Sequence, residues 1–152
     1  MASNPIDIVK VYFGTFSLMG AEKAGKYLAT DFALVGLTET PLDKATWITF
    51  LIALKSALPD LKIRIGKIKA DGNAVRVIEN GEGTHSWPMD MSVFDRPGIP
   101  ASGLRVNFYP SEWLLTIVEN KITRAELLSP PSLETGLLGM LKAFAAMPTQ
   151  EN

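Results

Sequence analysis

Residues 61–87, LKIRIGKIKADGNAVRVIENGEGTHSW, decide the fold class of this chain. Leu61, Ile63, Ile65 and Ile68 follow the two-residue period of a strand with one break, and Ala70-Asp71-Gly72-Asn73 carries the Asp-Gly signal of a tight hairpin. The next strand begins at Ala74 and reads on to Trp87. Gly81 and Gly83 interrupt it, as at a bulge or bend. With regular pairing, Val75, Val77, Gly81, Gly83, His85 and Trp87 share one face, and a bulge at either glycine reverses that phase.

Upstream the period is helical. Asn4, Pro5 and Asp7 supply a side-chain cap, a proline at the first helical position and an acid in the first turn. Val9, Tyr12, Phe13 and Phe16 then recur at helical spacing until Gly20. A second, short helix is expected over about 21–29, and Phe32 to Leu37 reads as a strand. Thr40-Pro41 with Asp43 opens a third helix, whose apolar stripe is Trp47, Phe50, Leu51, Leu54 and Leu58. Pro59 ends it. Downstream, residues 88–103 hold three prolines and two glycines after the strand and read as a long loop. A second hairpin, 104–118 with 122–128, turns at Glu119-Asn120. Ser129-Pro130-Pro131 stops the last strand, and a C-terminal amphipathic helix is expected over 137–147, within about 135–147.

Helices first and antiparallel strands after predict an α+β domain with three helices on the concave face of a curved sheet. One domain over 1–152 is expected, its core over about 5–129. Such an arrangement leaves an apolar pocket between helices and sheet. The chain has no cysteine, which excludes thiol catalysis and iron–sulfur clusters, and one histidine, His85. With carboxylates dispersed along the sequence, no metal site and no cofactor are expected. A net charge of −1 gives no reason to expect nucleic acid. No apolar run approaches the ~20 residues that span a bilayer, and no signal-peptide pattern opens the chain, so a cytoplasmic location is expected.

The order of elements, with DFALVGL, TETPLDK, ALPDL, GTHSW and IPASG, resembles the SnoaL-like polyketide cyclases of the nuclear transport factor 2-like superfamily, also described as cystatin-like. The resemblance implies a cone-shaped sheet around a small-molecule pocket. Superfamily members include cyclases, isomerases and hydratases as well as proteins without chemistry, so function has to be argued from residues. In ketosteroid isomerase, of the same superfamily, the resemblance puts the oxyanion-hole tyrosine on Tyr12 and the protonated acid beside it on Glu112. The general base of that enzyme falls on Gly36. The pocket histidine of the SnoaL-like cyclases matches His85 in Gly83-Thr84-His85, and their catalytic aspartate falls on Leu127. Both family bases are therefore replaced by groups that move no proton.

Two readings stand at this level. In the first, His85 and Glu112 carry protons and Tyr12 donates a hydrogen bond, in a pocket lined by Phe16, Trp47, Phe50, Trp87, Leu114 and Leu127. In the second, the protein binds a small apolar molecule without chemistry, or is a dimeric scaffold. There His85 serves the strand and its loop, Tyr12 is core, and Glu112 is a rim carboxylate paired with Arg105 or Arg124. The 104–118 strand is apolar in both phases: Leu114, Thr116 and Val118 alternate with Trp113, Leu115 and Ile117. A sheet covered on one face alternates apolar with polar, so a homodimer through the outer face is expected, with the C-terminal helix as the rival cover.

Overall fold

The computed structural model describes residues 4–128. The expected helix at 137–147 lies outside them. The first helix, α1, spans Pro5–Met19, with the Asn4 side chain accepting from the Ile6 N–H at 2.8 Å and Gly20 closing it. The second, α2, covers Ala21–Ala24, and a single 3₁₀ turn, Gly25–Tyr27, follows where more helix was expected. The tighter turn runs under the third helix, and a Cβ on Gly25 would fall 2.6 Å from Ile48 Cδ1. The chain is therefore already extended at Leu28, and the first strand, β1, is Leu28–Val35. A two-residue strand, β2 (Leu42–Asp43), leads into α3, Lys44–Ala57, whose N-terminus is capped by Asp43 Oδ1 accepting from Thr46 N–H at 2.8 Å.

The remaining strands are β3 (Lys62–Asp71), β4 (Ala74–Thr84), β5 (Arg105–Val118) and β6 (Lys121–Leu127). One six-stranded sheet runs in the order β2-β1-β6-β5-β4-β3. It is antiparallel except where β1 lies parallel to β6, so the curved sheet is mixed. The break in alternation at Ile68 is a register shift between Gly66 and Lys69, with Lys67 at φ 50°. That extra residue lets Ile63, Ile65 and Ile68 all pack on the core.

A second irregularity decides which face of β5 looks inward. Glu79 pairs with Ser111 but Gly81 with Phe108, so Tyr109 and Pro110 oppose Asn80 alone. Proline has no N–H for the ladder, and a bulge is one of the few places an interior strand accepts it. Val106 is buried before the bulge; Trp113, Leu115 and Ile117 are buried after it. β4 carries no extra residue, so its odd-numbered positions face the helices throughout.

Strand β4 ends at Thr84, three residues before the expected Trp87. The N–H groups of Ser86 and Trp87 turn to Ala57 C=O at the end of α3, at 3.0 and 3.2 Å, and leave the sheet. The 88–103 loop is partly ordered by a Met89–Ile99 bridge and a turn at Ser92–Phe94. It buries Met89 and Met91 and lays Phe94 against Phe50, ring centroids 5.1 Å apart. Asp60 joins this end together, its carboxylate accepting from Thr84 N–H at 2.7 Å and from Arg105 at 3.2 Å. Among the described residues no helix is long and apolar enough to cross a membrane.

Candidate functional site

Between α1, α3 and the concave face lies a cavity of about 140 Å³. Helix α1 contributes Tyr12, Phe13 and Phe16; α3 contributes Trp47, Phe50 and Leu51; the sheet contributes Glu79, Phe108, Ser111 and Trp113 among others. The space is close to the ~150 Å³ apolar cavity that admits a benzene-sized ligand elsewhere. Trp47 and Phe50 stack at 5.7 Å, and Tyr12 meets Phe13 edge-on at 5.1 Å, so much of the helical wall is flat aromatic surface. Such walls suit planar molecules.

Glu79 is the one carboxylate among the described wall residues, and no lysine, arginine or histidine joins it there. Its place follows from β4 parity. Val75 and Val77 are buried on the concave face, and Glu79 is the next residue in that series. Burial pushes its carboxyl up from the usual 4.5 to about 7, an effect partly opposed by the Trp113 indole N–H. The residue remains partly accessible because it borders the cavity. Trp113 approaches this carboxyl without the geometry of a hydrogen bond: its Nε1 is buried and has no hydrogen-bond partner.

Tyr12 is another polar group of the wall, beside Asn80 and Ser111 on the sheet. Its hydroxyl accepts from Trp47 Nε1–H at 3.1 Å, which leaves the phenolic hydrogen available to donate. Burial raises its pKa, the Trp47 hydrogen bond lowers it, and the nearby Glu79 charge raises it further. Tyr12 thus stays protonated through neutral pH and works as a donor rather than a base.

Four of the nine expected site residues meet here: Tyr12, Phe16, Trp47 and Phe50. Glu112 does not. The bulge at Pro110 reverses the phase of β5, so Glu112 and Leu114 turn to the outer face with Arg76 rather than into the cavity. Arg76 binds Glu112 at 3.0 Å, with the two side chains 54% and 35% exposed. Neither Arg105 nor Arg124, the partners expected for a rim carboxylate, makes that pair.

His85 is fully buried, but beyond the cavity wall, under the loop, where its backbone bonds Leu104 and Gly103 and its Nδ1 lies 3.4 Å from Ser102 Oγ. Burial lowers its pKa, against a smaller opposite effect of a backbone hydrogen bond at Trp87. Trp87 is 62% exposed because the chain has left the sheet. Leu127 is buried and faces inward as expected, yet it packs on Gly36 instead of lining the cavity. Gly36 has φ 101°, and a Cβ there would stand 2.9 Å from Leu127 Cβ. The two positions on which the resemblance puts the acids of ketosteroid isomerase and of the cyclases, Gly36 and Leu127, are here closed against each other.

The residue missed in the sequence was Glu79. It stands in the same odd-numbered series as Val75, Val77, Gly81 and His85, so alternation alone would have put a carboxylate on the inner face. Among the described residues, no group of three His, Cys, Asp or Glu side chains gathers where a metal ion could be held.

No family model matches the sequence, and no curated protein matches it. Solved structures do match in shape. A candidate SnoaL-like polyketide cyclase from Jannaschia sp. CCS1 superposes with a TM-score of 0.72 at 18% identity, over 95% of this chain and 93% of that one. AclR, a candidate hydroxylase from Streptomyces galilaeus, gives 0.72 at 14% identity, over 95% and 97%. TerC, co-crystallised with polyporic acid, gives 0.58 at 18% identity, over 83% and 91%. Agreement over nearly the whole chain at such low identity means that the protein has the fold of the SnoaL-like polyketide cyclases.

Proposed function

We propose that the protein binds a small, largely apolar molecule in this cavity and moves a proton on it through Glu79, with Tyr12 as hydrogen-bond donor. The observation that carries the reading is the placement of one carboxyl group in a wall otherwise built of neutral, mainly aromatic and aliphatic side chains. A group titrating near 7 is present in both forms at neutral pH and can take or give a proton in one turnover. The chemistry that fits is proton transfer next to a carbonyl, common to cyclisation, isomerisation and hydration. Ionised Glu79 takes the proton from carbon, the C–H electron pair moves toward the carbonyl oxygen, and the Tyr12 hydroxyl donates to that oxygen as its charge grows. Return of the proton to another atom completes the step. TerC, of the same fold, was crystallised with a small organic molecule, which supports the binding part of the reading.

A non-catalytic binding protein is the second reading, favoured by the closure of Gly36 on Leu127, the positions on which the resemblance puts the family acids. Deuterium exchange separates the two. With 2-indanone as a planar ketone in D₂O, the protein should accelerate exchange of the hydrogens next to the carbonyl. Glu79→Gln should lose that acceleration by about 10²–10⁴ while still binding. Binding without acceleration leaves the non-catalytic reading in place, and no binding removes the pocket reading.

The same proposal includes a twofold dimer through the outer sheet face. Leu114 and Val118 lie there, Val118 45% exposed, with the Arg76–Glu112 and Arg124–Glu126 pairs nearby.

A further inference from the structure

The buried indole N–H of Trp113 is the least explained polar group of the cavity. Trp113 is 8% exposed, its ring lines the cavity, and its Nε1 has no hydrogen-bond partner. Buried donors are nearly always paired, and one left open in a binding cavity marks a place for a ligand acceptor. Strand register explains its position. Val77 pairs with Trp113 and Glu79 with Ser111, so Glu79 and Trp113 are diagonal neighbours on one face of the β4–β5 ladder, within reach of each other's side chains.

Glu79 does not satisfy this donor, although it lies close enough for the indole to influence it. Tyr12, on the helical side, accepts from Trp47 and keeps its own hydrogen free to donate. The polar equipment of the wall therefore includes these two neutral donors and one carboxylate, together with Asn80 and Ser111. No cation stands among the described wall residues to balance a second negative charge. An anionic ligand would meet Glu79 in an apolar setting, where like charges repel strongly. A neutral oxygen acceptor meets no such opposition.

Resting on the pocket reading above, we infer that Trp113 is a specificity-determining residue whose indole N–H takes the carbonyl oxygen of a neutral, planar ketone or quinone and discriminates against hydrocarbon and carboxylate analogues. The flat aromatic walls hold the ring system, and Trp113 sets which edge of it lies next to Glu79. A site built around an unpaired donor penalises any ligand that leaves it unpaired, because the donor stays desolvated without a partner.

The test compares three probes of similar shape: 2-indanone, indane and indane-2-carboxylate. Wild-type protein should bind 2-indanone about tenfold more tightly than indane, the difference one hydrogen bond commonly makes, and bind the carboxylate more weakly than either at pH 8. Trp113→Phe keeps the aromatic area and removes the indole donor, so it should shrink the ketone-over-indane preference by weakening 2-indanone alone, the Tyr12 hydroxyl remaining as a donor. A direct readout does not depend on that variant folding. In ¹H–¹⁵N spectra of the wild type, the indole resonance assigned to Trp113 through Trp47→Phe and Trp87→Phe should move downfield with 2-indanone and not with indane. Equal binding of ketone and hydrocarbon, a preference undiminished by Trp113→Phe, an unmoved indole resonance, or tighter binding of the carboxylate overturns the role of Trp113 and leaves the apolar pocket standing. Failure of all three probes to bind overturns both.

Discussion

Replacing Glu79 by glutamine should stabilise the protein in alkaline solution relative to acid, and the size of the change follows from where the carboxyl sits. In the folded protein it titrates near 7 instead of 4.5 because burial penalises the charged form. Below pH 4.5 the group is protonated in both folded and unfolded chains, and its contribution to stability is fully present. As pH rises the unfolded chain ionises first, stability is lost, and the loss is complete once the folded group has titrated near 7. At about 1.4 kcal/mol for each unit separating the two values, the ionised form costs the wild type about 3 kcal/mol, an upper figure where cavity water solvates the charge. Glutamine has nearly the same shape and no such cost. Urea unfolding of both proteins from about pH 4 to about pH 9 isolates this term, since all other titrations are shared. With m of about 1–3 kcal/mol/M, the difference between their midpoints should change by up to about 1–3 M in favour of Glu79→Gln as pH rises. A difference that stays constant with pH would refute the burial argument.

Glu112→Gln should cost less than about 1 kcal/mol, as expected of an exposed ion pair, and leave 2-indanone affinity unchanged; His85→Ala should lower the melting temperature but also leave that affinity unchanged. A tenfold loss of binding in either variant would return that residue to the site. Sedimentation at micromolar concentration should show a dimer, and Leu114→Glu, on the outer face, should shift it toward monomer. A wild-type monomer under those conditions removes the dimer proposal.

The helix starts were legible because their signals are local: Asn4 with Pro5, and Asp43 three residues before Thr46. The Asp71-Gly72 hairpin and the break at Ile68 were equally plain, since turn chemistry and alternation act over a few residues. The short second helix was misjudged because contact with Ile48, far along the chain, selects a 3₁₀ turn at Gly25. The site was half legible. Tyr12, Phe16, Trp47 and Phe50 lie on regular helices, where spacing gives the face. Glu112 and Leu114 were lost to one inserted residue at Pro110, and Trp87 to hydrogen bonds with Ala57. The resemblance drew attention to Gly36 and Leu127, whereas the cavity acid stands across the sheet on β4.

The most direct measurement is a ¹³C titration of the Glu79 side-chain carboxyl in the intact protein. A carboxyl buried in an apolar cavity and able to carry a proton at neutral pH should titrate with a midpoint near 7. A midpoint close to the ordinary 4.5 would mean that water solvates the group freely, and would contradict the account of Glu79 as the proton carrier of this site.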